Sequence, residues 1–99
     1  MTDVVTSHNQ EKHRYEAHID GELAGFVQYL PSVGLVTFNH TEVDDEFEGK
    51  GVGSTLVRFA LDDARSDGSR RVLVTCPFIT KWIGKHPEYA ELLETPSDD

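Results

Sequence analysis

Between residues 49 and 53 glycine takes every second position, Gly49-Lys50-Gly51-Val52-Gly53, and the hydrophobic period of the chain changes across it. Upstream, Arg14 to Asp20, Leu23 to Leu30 and Leu35 to Val43 read as strands, separated by the turn signals Asp20-Gly21 and Pro31-Ser32-Val33-Gly34. Three short strands joined by tight turns form an antiparallel meander. Under regular alternation Val36, Phe38 and His40 share one face of the third. Downstream, Val52, Leu56, Phe59, Ala60 and Ala64 recur at helical spacing, with Val57 and Leu61 widening the stripe and Gly68 as a stop. Val72-Leu73-Val74 suits a strand buried on both faces. Pro77 can open a second helix running through Trp82 and Ile83 to about Lys85, and Pro87 starts a last short turn to Leu93.

The expected order is β-β-β-α-β-α, an α/β chain with a mixed α+β sheet whose strand–helix–strand unit crosses over right-handedly. With 99 residues the chain is expected to be one domain, residues 1–99, with 1–10 and 94–99 as flexible ends. Eighteen acidic against nine basic residues, a net charge of −9, argue against nucleic-acid binding. No apolar run reaches membrane-spanning length, and Met1 to Arg14 lacks the apolar centre of a secretory signal. A lone cysteine, Cys76, excludes an internal disulfide framework and suits a reducing compartment, so a cytoplasmic protein is expected. The histidines show no metal spacing, and no metal site is expected.

The glycine loop feeds a helix N-terminus, where unpaired N–H groups and the positive end of the helix dipole make an anion site. It is not a P-loop: Gly49-Lys50 is followed by Gly51, and Asp44 stands where the first glycine belongs. Its G-x-G-x-G spacing, set off from the strand by an acidic stretch, also departs from the dinucleotide fingerprint.

The run Val43-Asp44-Asp45-Glu46-Phe47-Glu48-Gly49-Lys50-Gly51-Val52-Gly53 resembles the acyl-CoA-binding motif of the GNAT superfamily of N-acetyltransferases. Two positions depart from it: Asp45 stands where proline is common, and Glu48 where Arg or Gln is usual. Flanking segments, His40-Thr41-Glu42-Val43, Thr75-Cys76-Pro77-Phe78 and His86-Pro87-Glu88-Tyr89, resemble a branch of very small single-domain members. The resemblance covers residues 14 to 93. It implies a meander followed by β-α-β-α, with splayed strands around an acyl-CoA cleft, and acetyl-CoA as cofactor. It further implies an amine acceptor, small or peptidic, and we expect a monomer or weak homodimer.

By the same resemblance the backbone of Gly49, Lys50, Gly51, Val52, Gly53 and Ser54 would hold the CoA pyrophosphate, and N–H groups near Val43 would polarise the thioester. Phe78 and Trp82 either pack in the core or contact the cofactor, and Lys81 or Lys85 can add local charge. Cys76 is either a small core residue or, near a helix N-terminus that favours thiolate, the group serving the CoA sulfur. His40 and Glu42 share one face under regular alternation, which a β-bulge, frequent in the superfamily this chain resembles, would change; they either are structural and exposed residues or assist deprotonation of an ammonium. The acids at 42, 44, 45, 46 and 48 are either a solvated loop or a funnel for a cationic amine. A second expectation stands beside the enzyme: a CoA-binding module with weak or no catalysis, since turns of a few residues occupy the space where larger members place acceptor-shaping helices. A third is an interaction module whose loop is vestigial.

Overall fold

In the computed structural model, which describes residues 3–49, 51–68 and 71–93, the change of period builds a one-sided sandwich. The strands are β1 (Val5–Asn9), β2 (Arg14–Ile19), β3 (Glu22–Ser32), β4 (Leu35–Val43) and β5 (Arg71–Val74). The helices are α1 (Val52–Asp67) and α2 (Pro77–Lys85), with 3₁₀ turns at Asp45–Phe47 and Pro87–Leu92. Strand order follows the sequence, β1-β2-β3-β4-β5, with antiparallel pairings up to β4 and a parallel β4–β5 pair joined through α1. The expected α/β mixed sheet is therefore observed.

Phe38, Leu56, Leu61 and Ile79 are fully buried, and with Val27, Val52, Val57 and Val72 they fill the space between the sheet and the helices. Burial of each such side chain contributes about 1.5–3 kcal/mol. Gly68 ends α1 in the left-handed conformation at φ 69°, its N–H donating to the Ala64 carbonyl. The helix-free face of the sheet carries Arg14, Glu16 and His18. There Asn9 and Arg14 both donate to Glu16, the Arg14 bond at 2.7 Å.

Three expectations change. Residues 1–10 hold a strand: Val5–Asn9 pairs with Arg14–His18. Without it the edge of β2 would be open, and His8 stacks on Tyr15 at 4.2 Å, covering an aromatic cluster. The other expected flexible end, 94–99, lies outside the described residues. β5 is not buried on both faces. It is an edge strand in which Val72 is buried and Leu73 and Val74 are half-buried.

The third change matters most for the site. Tyr29 pairs with Phe38 but Gln28 pairs with His40, so Asn39 is a bulge residue. The bulge breaks alternation. Val36 and Phe38 face the core, whereas His40 and Glu42 are exposed. Thr41 and Val43 inherit the helix-side face. The end of β4 also approaches β3 closely at Gly25, where an added Cβ would sit 2.6 Å from the Glu42 carbonyl oxygen and 3.3 Å from Leu56.

Candidate functional site

β5 pairs with β4 only as far as Phe38–Val74, and the Thr75 N–H closes the ladder on the Phe38 carbonyl. Beyond that point the chain turns into α2 while β4 continues to Val43, so a gap opens between them. The Asp44 N–H donates to the Ala24 carbonyl on β3. Backbone direction alternates along a strand, so the Val43 N–H points the other way, into the gap.

A cavity of about 490 Å³ occupies this region, lined by Thr41, Val43, Phe47, Glu48, Gly49, Gly51–Ser54 and Phe78. Gly49 and Gly51 have φ of 84° and 78°, a left-handed conformation that other residues adopt only with strain. As N-cap, Gly51 offers no side chain to the helix, and the first internal bond of α1 is Thr55 N–H to Gly51 carbonyl. The N–H groups of Val52, Gly53 and Ser54 are thus left for an external acceptor. No acid sits in the first turn of α1 to neutralise the dipole.

α2 begins beside it in the same way. Cys76 is the N-cap without a side-chain capping bond, and Pro77 occupies the first turn. Phe78 lies over Gly53 so closely that a Cβ there would be 2.8 Å from its ring, and Phe78 is itself 45% exposed. Two uncapped helix N-termini therefore flank one cavity, with an exposed aromatic ring between them. This arrangement fits a ligand that is anionic at one end and apolar along an arm, as CoA is.

Of the residues singled out from sequence, Val43, Gly49, Gly51, Val52, Gly53, Ser54 and Phe78 line the cavity. Lys50 lies outside the described residues. Lys81 and Lys85 are exposed on α2 and do not line the cavity. Trp82 lies behind the loop: it is buried, and its indole N–H donates to Ser54 Oγ at 2.9 Å. In that bond Ser54 Oγ is the acceptor. Cys76 is 5% exposed, and its thiol donates to Thr41 Oγ1 at 3.5 Å. His40 and Glu42 do come together, His40 Nε2 facing Glu42 Oε1 at 3.2 Å. They sit on the outer face of β4, opposite Thr41 and Val43.

Sequence reasoning missed Thr41 and Phe47. Thr41 shares a face with Val43 two residues on, a signal that becomes readable only once the bulge is known. Phe47 was legible as the lone large apolar residue in an acidic run, and it is buried as the floor of the cavity. Among the described residues no three His, Cys, Asp or Glu side chains group as metal ligands, and no helix is long and apolar enough to cross a membrane.

Comparison with known proteins bears on the fold and the family. Protein NATD1 of Bos taurus is 30% identical over 95 residues, covering 92% of this chain and 83% of the relative. Its Homo sapiens counterpart is 29% identical with the same coverage. A GCN5-like protein from Staphylococcus aureus, solved by NMR, superposes with a TM-score of 0.70 at 18% identity, over 98% of this chain and 94% of that one. A ribosomal-protein-alanine N-acetyltransferase from Brucella melitensis superposes at 0.57 with 16% identity, over 100% and 96% of the two chains. At such identities the structural matches establish the fold. The model of the GCN5-related N-acetyltransferase family matches residues 14–92, and it is to this family that the chain belongs.

Proposed function

We propose that the protein is an acetyl-CoA-dependent N-acetyltransferase acting on a primary amine, small or peptidic. The observation that carries this reading is the pair of uncapped helix N-termini, of α1 and α2, flanking one cavity at the open β4–β5 gap. When bound, acetyl-CoA would supply an activated thioester. The N–H groups of Val52, Gly53 and Ser54 would hold pyrophosphate, with Gly49 and Gly51 letting the backbone approach it. Thr41, Val43 and Phe78 would line the pantetheine arm. The Val43 N–H, aimed into the gap, would stabilise negative charge developing on the carbonyl oxygen.

Cys76 and Thr41 form a hydrogen-bonded pair at the gap's edge, suited to return a proton to the departing sulfur. His40, with Glu42 beside it, would accept the ammonium proton from the outer face of the gap. The exposure of both side chains supports the alternative of a CoA-binding module with little catalysis. Their side chains are 51% and 62% exposed, and the described residues place no helix over that face.

Calorimetry with CoA tests the binding step, and micromolar affinity is expected. No binding below millimolar overturns both readings. Turnover of acetyl-CoA against amines and lysine peptides then separates enzyme from module. If Cys76→Ala turns over as fast as the unmodified protein, the sulfur's proton comes from elsewhere.

A further inference from the structure

Glu16 is only 8% exposed although it lies on the helix-free face of the sheet, and the proposed reaction makes no use of it. Taking a carboxylate out of water is costly unless it is paired and hydrogen-bonded. Here Arg14 Nε donates to its Oε2 at 2.7 Å and Asn9 to the same oxygen at 3.0 Å, while His18 Nε2 stands 3.8 Å from Oε1. That bond fixes the Arg14 guanidinium over the ring of Phe26, its Cζ 4.7 Å from the centroid and within cation–π range. The His40 ring also lies against Phe26, with centroids 5.9 Å apart and planes 57° from parallel.

Strand register explains the grouping. Glu16, Phe26 and Glu42 are paired across β2, β3 and β4, and Arg14, Gln28 and His40 make the neighbouring row. β3 runs between the other two strands, so Arg14 reaches Phe26 from one side and His40 from the other. The bulge at Asn39 is what brings His40 into this group; regular alternation would turn it to the face of Phe38. Once there, the His40 side chain is 51% exposed, and Glu42, its partner at 3.2 Å, is 62% exposed. A pair so exposed orders its side chains weakly. Phe26 is half-buried and backed by the largely buried Arg14–Glu16 pair, which makes it the rigid neighbour of the imidazole.

We propose that Phe26 is a positioning residue for His40: its ring, backed by Arg14 and Glu16, holds the imidazole in the orientation that faces Glu42. The inference rests on the base role proposed for His40 above. In the tautomer with the proton on Nε2, that atom donates to Glu42 Oε1, and the Nδ1 lone pair takes the ammonium proton. The products of that step are a neutral amine and an imidazolium beside a carboxylate. An imidazole free to turn spends less time in this geometry, which slows the chemical step without weakening cofactor binding. The same bracing accounts for a buried carboxylate on an open face: Glu16 fixes Arg14, and Arg14 fixes the ring.

The test is steady-state turnover of acetyl-CoA with Nα-acetyl-lysine amide by the full chain. Phe26→Leu should lower kcat about tenfold and leave the KM for acetyl-CoA within about twofold. Phe26→Tyr, which keeps the ring, should stay within about threefold of the unmodified chain. In a His40→Ala background Phe26→Leu should cost nothing further, because its effect passes through the imidazole. Phe26→Met replaces Phe26→Leu if the latter does not fold, and calorimetry with CoA checks that the cofactor site is intact in each variant. The proposal is overturned by an unchanged kcat in the folded variant, by an equal loss in Phe26→Tyr, or by a loss that persists in the His40→Ala background. It is equally overturned if His40→Ala alone turns over at the full rate. No turnover by the unmodified chain, with this acceptor or with n-butylamine, overturns the enzyme reading and this inference with it. An active unmodified chain matched by Phe26→Leu removes this inference alone.

Discussion

Gly25 sits in the middle of β3, where glycine normally weakens a strand by about 0.5–1 kcal/mol. It is present because backbone must pass there: a Cβ would meet the Glu42 carbonyl oxygen at 2.6 Å and the Val43 Cα at 3.2 Å. Neither atom belongs to a flexible side chain, so Gly25→Ala should push β4 away from β3. We expect a destabilisation of roughly 1–3 kcal/mol, typical of an overpacked interior, read as a lower denaturant midpoint with unchanged slope. CoA affinity should fall with it, because Val43 carries the N–H aimed into the gap. Glu16 offers a second residue-scale test on the opposite face. Burial acts to raise its carboxyl pKa, but hydrogen bonds from Arg14 and Asn9, with the charges of Arg14 and His18, hold it below the ordinary 4.5. A carboxyl with a lowered folded pKa stabilises the fold above its unfolded pKa, and that contribution is lost as pH falls through the folded value. Glu16→Gln should therefore cost about 1–2 kcal/mol at pH 7 and progressively less below about pH 4. Denaturation series at pH 7 and pH 3 check this, and an equal loss at both would refute it.

At the scale of elements, α1 was readable because its period and its glycine entry lie within one stretch of chain. The same holds for α2, announced by Pro77 after a short apolar strand. What the sequence leaves open is anything that needs two elements at once, the position of a bulge in β4 included. The bulge at Asn39 has no residue signature, since it is a mismatch of register between β3 and β4. It nonetheless decides that Thr41, rather than His40, faces the cavity. Trp82 was ambiguous between core and cofactor for the same reason: its partner, Ser54, is 28 residues away. That bond ties α2 to the first turn of α1, so under the proposed function Trp82 would shape the phosphate cradle without lining it. A double-mutant cycle over Ser54→Ala and Trp82→Phe should give a coupling of about 0.5–1.5 kcal/mol in stability. Trp82→Phe alone should weaken CoA binding severalfold although the residue does not line the cavity. Unchanged affinity in a folded Trp82→Phe protein would remove the bracing role.

Over the whole molecule the charge is negative where, on the proposed function, an anionic cofactor would arrive. The net charge is −9, and Asp44, Asp45, Glu46 and Glu48 precede the glycine loop, which itself carries Lys50. Lys81 and Lys85 are exposed on α2 outside the cavity lining. A phosphate site built on lysine or arginine loses affinity as salt rises, because its attraction is screened. On the proposed function the attraction would reside in N–H groups within hydrogen-bond range, which salt hardly reaches, while the repulsion from the acids is long-range. The Debye length contracts from about 30 Å at 0.01 M salt to about 10 Å at 0.1 M, so salt removes the unfavourable part first. CoA affinity should hold constant or rise, by up to about threefold, as sodium chloride goes from about 0.02 to 0.15 M, and the association rate should rise more than the dissociation rate changes. Calorimetry and stopped-flow binding across that range measure both. A steep fall in affinity would mean that lysine charge, Lys50 foremost, carries the phosphates and that the backbone cradle of Val52, Gly53 and Ser54 does not suffice.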